Sequence, residues 1–421
     1  MILPRLRMQE EDRKVKEIKG GITAAKGFEA AGVAAEIKYK GRNDMALVYS
    51  QVPCRAAGTF TTNVVKAAPV KWDQKIVKES EYAQAVIINS GIANACTGAE
   101  GYGYCQATAD KAAEVFGIPA ESVLVGSTGV IGMQLPIDRI QAGVEKLAAA
   151  KDGSIEAGTV AAKAIMTTDT VEKELAVQVE IGGKTVTIGG MAKGSGMIHP
   201  NMCTMLGFIT TDAAISKSAL QKALSDDVND TYNMVSVDGD TSTNDTVLLL
   251  ANGMAGNEEI VEGTADYDKF VEALHLVNET MAKKIAGDGE GATALFEVNI
   301  VGAETKEQAV LLSKSIACSN LTKTAIAGHD ANWGRILCAM GYSGAQFDPE
   351  KVDLFFESAA GKLQIVENGT AAQYSEEKAT EILSQPVVIA TADIKMGDAK
   401  ATAWGCDLTH GYIDINADYR S

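Results

Sequence analysis

The chain has 421 residues, of which 46% are hydrophobic and 22% charged, as in soluble globular proteins and unlike disordered or fibrous ones. Its 38 Lys and Arg residues against 55 Asp and Glu give a formal net charge of −17, and a surface that negative repels nucleic-acid backbones and anionic lipid. Four His residues and seven Cys residues without a C-x-x-C pair support neither a metal site nor a disulfide framework.

The length predicts two domains or one large layered domain, at ~100–200 residues per domain. No apolar run approaches the ~18–20 residues that cross a bilayer. The beginning of the chain, MILPRLRMQEEDRKVK, is too charged to contain the apolar part of a signal peptide. We therefore expect a cytoplasmic protein.

Strand-like and helix-like segments alternate in the first half of the chain. Apolar, β-rich runs predict strands over 85–89 and 122–126. Two further runs on either side of Gly182 and Gly183 predict a hairpin. The spacing of Ile, Val, Leu and Ala predicts a helix over 136–150.

The pattern restarts after residue 204 and again mixes the two kinds of element. Strands are predicted over 205–215, 246–252, 296–303, 352–356, 386–394 and 411–415, and helices over 216–227, 264–286 and 305–318. The whole chain is therefore expected to mix strands and helices.

Nucleotide and calcium loops are excluded by their own spacing rules. Gly183, Lys184 and Thr185 end like a phosphate-binding loop, but Gln178 stands where that motif needs its first Gly. The acidic segment 238–245 lacks the Gly of an EF-hand loop at its sixth position. We interpret this segment as a polar turn.

The segment 191–213 holds the densest set of chemically useful residues. Cys203 and Thr204 lie where a Gly-rich loop enters a predicted strand. A Thr hydroxyl needs a base to act as a nucleophile, and cleavage of the chain before it supplies its own α-amine, whose pKa is ~7.7–8.0. Cys203 as nucleophile and His199 as base remain alternatives at this point.

The segment KGSGMIHPNM-x-TMLGFITTDA resembles the self-cleavage and nucleophile segment of the glutamate N-acetyltransferase / ornithine acetyltransferase family of arginine biosynthesis. The family usually has Ala where this chain has Cys203. Supporting blocks span nearly the whole chain: 20–38, 56–70, 89–98, 126–132, 165–170, 237–246, 286–293, 328–344 and the final DYRS.

The resemblance implies a self-cleaving acetyltransferase. Thr204 would cleave the Cys203–Thr204 bond, leaving an α chain 1–203 and a β chain 204–421. The freed Thr204 would then carry acetyl from N2-acetyl-L-ornithine to L-glutamate, with ornithine and N-acetylglutamate as products. No metal or organic cofactor is implied, and acetyl-CoA is an alternative donor in some family members.

The resemblance also assigns roles to individual residues. Thr128, through its hydroxyl, and Gly129, through its backbone N–H, would stabilise the oxyanion. The substrate-binding positions map onto Thr167, Lys193, Thr204, Glu290, Asn416 and Ser421. From their charges, Lys193 suits an α-carboxylate and Glu290 the δ-ammonium of ornithine.

The implied fold is an α/β layered sandwich of the self-cleaved N-terminal-nucleophile type, with helices flanking packed β-sheets and a smaller C-terminal α/β domain. Residues 204–345 would continue the main sandwich and 346–421 would form the smaller part. Two α and two β chains would assemble into a heterotetramer.

Two other functions remain open from the sequence. A self-processed Thr amidohydrolase or aminopeptidase would pass the acyl group to water. A non-catalytic amino-acid-binding protein would use the same charged residues without moving an acyl group.

Overall fold

The computed structural model describes residues 15–199 and 205–418. The strands are β1 Val15–Ile18, β2 Phe28–Val33, β3 Met45–Phe60, β4 Ala83–Ile92, β5 Val123–Val130, β6 Lys173–Ile181, β7 Lys184–Lys193, β8 Leu206–Thr211, β9 Thr246–Ala251, β10 Leu295–Ala303, β11 Asp353–Ser358, β12 Gly361–Glu367, β13 Thr370–Ala371, β14 Val387–Asp393 and β15 Ala399–Cys406. The α-helices are α1 Ala68–Glu79, α2 Gly98–Phe116, α3 Ile137–Ala150, α4 Ile155–Ala164, α5 Lys217–Asp230, α6 Ala265–Gly287, α7 Lys306–Cys318, α8 Asn320–Ala327, α9 Trp333–Gly341, α10 Glu376–Leu383 and α11 His410–Ala417.

The first sheet folds over on itself through its longest strand, β3. The strand order is β1-β6-β7-β8-β9-β3-β4-β5, with β2 also paired to β3. The N-terminal part of β3 pairs with β2 and β4, whereas Arg55–Phe60 pair with β9. The register of β3 against β4 shifts between Tyr49 and Cys54, and such an irregularity bends a strand.

A contact between β8 and β5 shows that the two halves of this sheet lie face to face. A flat sheet would separate these strands by roughly 19 Å, at about 4.8 Å per strand. A Cβ built on Gly126 of β5 would nevertheless lie 3.2 Å from the ring of Phe208 in β8. Side chains from both halves share one buried cluster, which includes Leu47, Ile87, Leu124, Leu206, Phe208 and Leu248.

Helices cover the outer faces of both halves. Helix α6 packs against β6 and β7, and α1 and α2 pack against β5. Val277 of α6 belongs to the same buried cluster as Ile209 of β8, whose neighbour Phe208 faces the opposite way into the sheet-to-sheet core. This alternation is what a strand buried on both faces requires. The predicted α/β sandwich of helices flanking packed sheets is confirmed.

The second sheet begins earlier in the chain than the predicted boundary at 346. Its order is β13-β12-β11-β14-β10-β15. Strand β10 runs parallel to β14 and antiparallel to β15, and α7 packs against β10 and β15. From Leu295 onward, residues predicted to continue the main sandwich contribute a strand to the second sheet, because β10 pairs with β14 and β15. The division at 346 stays a prediction.

The strand predicted over 411–415 is wrong. The residues lie in α11, whose first turn is capped by the Thr409 hydroxyl, which accepts a hydrogen bond from Gly411 N–H at 3.1 Å. None of the side chains of α11 described in the structure is buried. The apolar side chains of Tyr412, Ile413 and Ile415 therefore do not mark a buried sheet face.

The other predicted elements are present at the expected places, including the hairpin of β6 and β7 around Gly182 and Gly183. In the two ranges that the structure describes, no helix combines the length and apolarity that a membrane span requires.

Candidate active site

A cavity of about 410 Å³ lies where β5 and β7 end and β8 begins. Six of the residues assigned to the site from the sequence line it, and they come from separate parts of the chain: Thr128, Gly129, Thr167, Lys193, Glu290 and Asn416. The fold thus brings together side chains from distant parts of the chain. The two that lie furthest apart in sequence are nearly 300 positions apart.

Three of the residues assigned from the sequence, Cys203, Thr204 and Ser421, lie outside the described residues. Met205 and Leu206, where the description of the chain resumes, both line the cavity. The strand that begins after position 204 therefore starts at the cavity wall.

Thr128 and Gly129 present the end of β5 to the cavity. Gly129 has a φ of +128°, and a Cβ there would lie 2.3 Å from the carbonyl carbon of Gly91 on the paired strand. Only glycine fits such a conformation and such a close approach. The Asn244 amide donates to the carbonyl oxygens of Ser127 at 2.9 Å and Ala93 at 2.6 Å, which fixes the backbone beside this strand end.

Lys193 is the buried cation of the cavity. Its side chain is 9% exposed, and its Nζ lies 3.4 Å from Thr128 Oγ1 and 4.0 Å from Asp169 Oδ2. Burial lowers the pKa of Lys193, and the Asp169 carboxylate opposes that shift. Lys193 therefore sits between the predicted oxyanion residue and a buried carboxylate.

Asp169 holds one wall of the cavity together. It accepts hydrogen bonds from the backbone N–H of Thr167 at 3.0 Å and of Gly194 at 2.7 Å, and from Lys173 Nζ at 2.7 Å. Burial alone would raise its pKa, but the charges of Lys193 and Lys173 and these hydrogen bonds hold the pKa below its usual value. Asp169 is therefore an anion at neutral pH.

Lys173 links this wall to the segment that carries Glu290. Its side chain is fully buried, and its Nζ also lies 2.5 Å from Asp288 Oδ2. Asp288 in turn accepts a hydrogen bond from Thr170 N–H at 3.1 Å, and its carbonyl oxygen accepts one from the Ser195 hydroxyl at 2.7 Å. A buried cation between two carboxylates satisfies the requirement that buried charges be paired.

Glu290 places a second buried carboxyl group in the cavity wall beside Asp245, with exposures of 6% and 1% respectively. Its N–H donates to Ser195 O at 3.0 Å, and the Asn416 amide donates to its Oε2 at 2.6 Å. A Cβ on Gly196 would lie 2.3 Å from Glu290 Cδ. The carboxylate therefore occupies space that glycine leaves open.

His199, the alternative base, does not belong to the part of the cavity wall that the structure describes. Its Nδ1 lies 3.1 Å from Ser236 Oγ and 3.4 Å from Cys318 Sγ. Burial lowers the pKa of the imidazole, which favours its neutral form.

The sequence reading missed the supporting residues Asp169, Lys173 and Asp288. Asp169 lies within the block 165–170 that carries the family resemblance, but nothing in its spacing indicates a buried partner. The segment 238–245, interpreted as a polar turn, is irregular as expected, yet its residues 242–245 line the cavity.

The arrangement suits a small molecule with a negative and a positive end. Oppositely charged side chains that are shielded from bulk water attract the carboxylate and ammonium of an amino acid more strongly than exposed side chains do. Within 15–199 and 205–418, no group of three or more His, Cys, Asp or Glu side chains is arranged to hold a metal ion.

Comparisons with known proteins place the chain in a family. The model of the ArgJ family matches residues 29–421. The chain is 53% identical over 397 residues to the arginine biosynthesis bifunctional protein ArgJ of Thermotoga neapolitana, covering 94% of this chain and 99% of the relative. It is 53% identical over 406 residues to the protein of the same name from Symbiobacterium thermophilum, covering 96% and 99%.

Solved structures give matches of similar identity over shorter stretches. A crystal structure of arginine biosynthesis bifunctional protein ArgJ from Bacillus halodurans is 44% identical, covers 50% of this chain and 97% of its own, and has a TM-score of 0.48. Ornithine acetyltransferase from Mycobacterium tuberculosis, complexed with ornithine, is 44% identical, covers 45% and 100%, and has a TM-score of 0.43.

Proposed function

The chain belongs to the ArgJ family and is an acyltransferase of arginine biosynthesis, and from this premise we propose that it transfers acetyl from N2-acetyl-L-ornithine to L-glutamate through an ester on Thr204. One observation carries the proposal. Lys193, Glu290 and the Thr128–Gly129 strand end surround one cavity, and Met205 lies in its wall.

The proposed reaction begins with processing of the chain itself. The Thr204 hydroxyl adds to the carbonyl carbon of Cys203, the C–N bond breaks, and the acyl group moves from nitrogen to oxygen. Water then hydrolyses this ester, which leaves a carboxylate on Cys203 and a free α-amine on Thr204. The products are the α chain 1–203 and the β chain 204–421.

The new α-amine is the proposed base for transfer. With an unperturbed pKa of ~7.7–8.0, such an amine exchanges protons readily near neutral pH. It removes the proton of the Thr204 hydroxyl as the oxygen adds to the acetyl carbonyl. Collapse of the tetrahedral intermediate returns a proton to the departing nitrogen and releases ornithine, leaving acetyl on Thr204.

Glutamate completes the cycle by the reverse chemistry. Its α-amine adds to the ester carbonyl, and the Thr204 oxygen leaves as N-acetylglutamate forms. Both half-reactions pass through an oxyanion, for which the Thr128 hydroxyl and the Gly129 N–H are the proposed donors. Each such donor typically contributes ~2.7–4 kcal/mol to the transition state.

The charged residues of the cavity support a proposed orientation of the amino-acid substrate. We assign the α-carboxylate to Lys193 and the δ-ammonium of ornithine to Glu290, which Asn416 orients through its hydrogen bond. Thr167 and Ser421 complete the proposed binding set. The acetyl group travels on the enzyme, so the proposed reaction needs no metal or organic cofactor.

Acetyl-CoA is a second donor to be tested in the same assay, because the relatives are named bifunctional. We also propose a cytoplasmic heterotetramer of two α and two β chains. Sedimentation of the purified protein tests the assembly, and a mass equal to one α and one β chain would contradict it.

A transfer assay on the cleaved protein tests the function. N-acetylornithine with glutamate is expected to yield ornithine and N-acetylglutamate in equal amounts. Ornithine released just as fast without glutamate would replace the transferase with the hydrolase that uses water as acceptor. No ornithine release at all would leave only an amino-acid-binding protein.

A further inference from the structure

Lys193 links two groups with different roles. On one side its Nζ lies 3.4 Å from Thr128 Oγ1, and on the other 4.0 Å from Asp169 Oδ2. The Asp169 side chain is fully buried and that of Lys193 is 9% exposed. Lys193 therefore connects a buried carboxylate with a hydroxyl at the cavity wall.

The donor and acceptor groups of Lys193 and Thr128 fix the direction of the Thr128 hydroxyl hydrogen. A lysine ammonium has three N–H donors and no acceptor, whereas a threonine hydroxyl has one donor and two acceptor lone pairs. At the Lys193–Thr128 contact, Lys193 is therefore the donor. The Thr128 hydroxyl hydrogen must point away from Lys193, and Thr128 lines the cavity.

A neutral Lys193 would reverse this arrangement. The amine would then carry a lone pair, and the Thr128 hydroxyl could donate to it. Its hydrogen would be withdrawn from the cavity, where an oxyanion needs it. The orientation of the hydroxyl thus depends on whether Lys193 is charged.

We propose that Asp169 is a positioning residue for acetyl transfer, which by keeping Lys193 as an ammonium against Thr128 directs the Thr128 hydroxyl hydrogen toward the developing oxyanion. This inference rests on the proposed function, because it concerns the same oxyanion. The inference adds Asp169, which does not touch substrate. It also gives Lys193 a second role besides binding the substrate carboxylate.

The charges around Lys193 come from four elements. Asp169 lies in the loop before β6, Lys173 in β6, Glu290 in the loop after α6, and Asp245 in the loop before β9. Burial and the Lys173 charge favour the neutral amine, and the three carboxylates favour the ammonium, with Asp169 first among them. Removal of the Asp169 charge therefore moves Lys193 furthest toward its neutral form.

Lys173 keeps Asp169 available for this role. It donates to both Asp169 and Asp288, so that the pair of carboxylates is not left with two uncompensated charges. Asp169 stays ionised, and its Oδ2 stays directed at Lys193 and the Thr167 N–H.

A double-mutant cycle on the mature enzyme tests the proposal. Asp169→Asn, Thr128→Ala and the double variant are compared by kcat at saturating N-acetylornithine and glutamate. Thr128→Ala is expected to lower kcat roughly 100- to 1,000-fold, as loss of an oxyanion donor does, and Asp169→Asn at least about 10-fold. The double variant should be no slower than Thr128→Ala, because no hydroxyl is left to direct.

The pH profile separates positioning from general damage. The alkaline fall of kcat is expected to move to lower pH in Asp169→Asn, because Lys193 loses its proton more easily. Asp226→Asn is the matched control, since Asp226 pairs with Lys222 at 2.8 Å on the exposed surface, and it should leave kcat and the profile unchanged. Additive losses in the cycle, or an alkaline limb that does not move, would overturn the proposal.

A second measurement decides the matter if Asp169→Asn does not fold. The wild-type kcat should fall at alkaline pH, whereas the residual kcat of Thr128→Ala should not fall over the same range. An equal fall in both proteins would overturn the proposal. Wild-type protein that transfers no acetyl would instead refute the proposed function, so the two failures are distinct.

Discussion

Glu290 and Gly196 share one space at the cavity: the carboxyl carbon of Glu290 lies 2.3 Å from where a Cβ on Gly196 would be. Real Cβ atoms do not approach this closely, so any side chain at 196 must displace the Glu290 carboxylate. The proposed site for the substrate ammonium therefore requires glycine at position 196.

Gly196→Ala is expected to raise the KM for N-acetylornithine about tenfold or more, because the displaced Glu290 carboxylate would no longer be placed to hold the substrate ammonium. A loss of about 1.4 kcal/mol in binding corresponds to a factor of ten. Steady-state kinetics of ornithine release measure this. Gly103→Ala is the matched control, since Gly103 lies in α2 with nothing within 4 Å of an added Cβ. Equal KM values in wild type and Gly196→Ala would contradict the role of Glu290.

Gly129→Ala should reduce acetyl transfer strongly, because the new Cβ would meet the Gly91 backbone at 2.3 Å and push the end of β5 out of place. The expected loss is roughly 100-fold or more in kcat, comparable with loss of an oxyanion donor. Gly132→Ala separates strain from collision, since Gly132 also has a positive φ but nothing within 4 Å. If both variants lost activity equally, the collision would not be the cause.

Lys173→Met should destabilise the fold by about 3–5 kcal/mol, because it leaves the carboxylates of Asp169 and Asp288 buried without their cation. Urea unfolding in a Thr204→Ala background, in which a single uncleaved chain is expected, measures the change. Lys222→Met, at a surface ion pair with a 45% exposed lysine, should leave the free energy of unfolding almost unchanged.

The buried pair of Lys173 and Asp169 also predicts how the free energy of unfolding depends on pH. The folded-state pKa of Asp169 is held below its usual value, so its ionisation stabilises the fold above its unfolded pKa of about 3.9. That contribution is lost as pH falls below about 4, through the folded pKa. Lys173→Met should therefore show a smaller loss of stability on acidification than wild type. Parallel plots of unfolding free energy against pH for the two proteins would refute this.

His275 should stabilise the protein more at mildly acidic than at alkaline pH. Its Nδ1 contacts Asp227 Oδ1 at 2.6 Å, and this hydrogen bond raises the pKa of the imidazole despite partial burial. The stabilisation is complete below the unfolded pKa of about 6.5 and is lost as pH rises through the higher folded pKa. Because the His275 side chain is 44% exposed, the contribution should be at most about 1 kcal/mol. His275→Gln should remove this pH dependence, as followed by thermal unfolding between about pH 6 and 8.

The sequence predicted most of the framework because its strongest signals are local. Strand β4 is buried at all its positions, and its central residues 85–88 form a continuous apolar run that predicts a strand. The hairpin of β6 and β7 is marked by its two glycines. By contrast, the partners of β10 lie about 90 and 100 residues further along the chain, and no local pattern indicates such pairings.

The site was predicted through resemblance, and its supporting contacts were not. Thr128, Lys193 and Glu290 were assigned from matching segments, and the structure brings all three to one cavity. The ion pairs from Lys173 to Asp169 and Asp288 join residues that are 4 and 115 positions apart. The second pairing depends on the tertiary fold, so neither composition nor spacing could reveal it.

Mass spectrometry of the protein after incubation with N-acetylornithine alone tests the central claim most directly. The account predicts two chains, with the second beginning at Thr204 and carrying one acetyl group on that residue, which glutamate then removes. An intact chain that transfers acetyl, or a cleaved chain whose acetyl group lies on another residue, would contradict it.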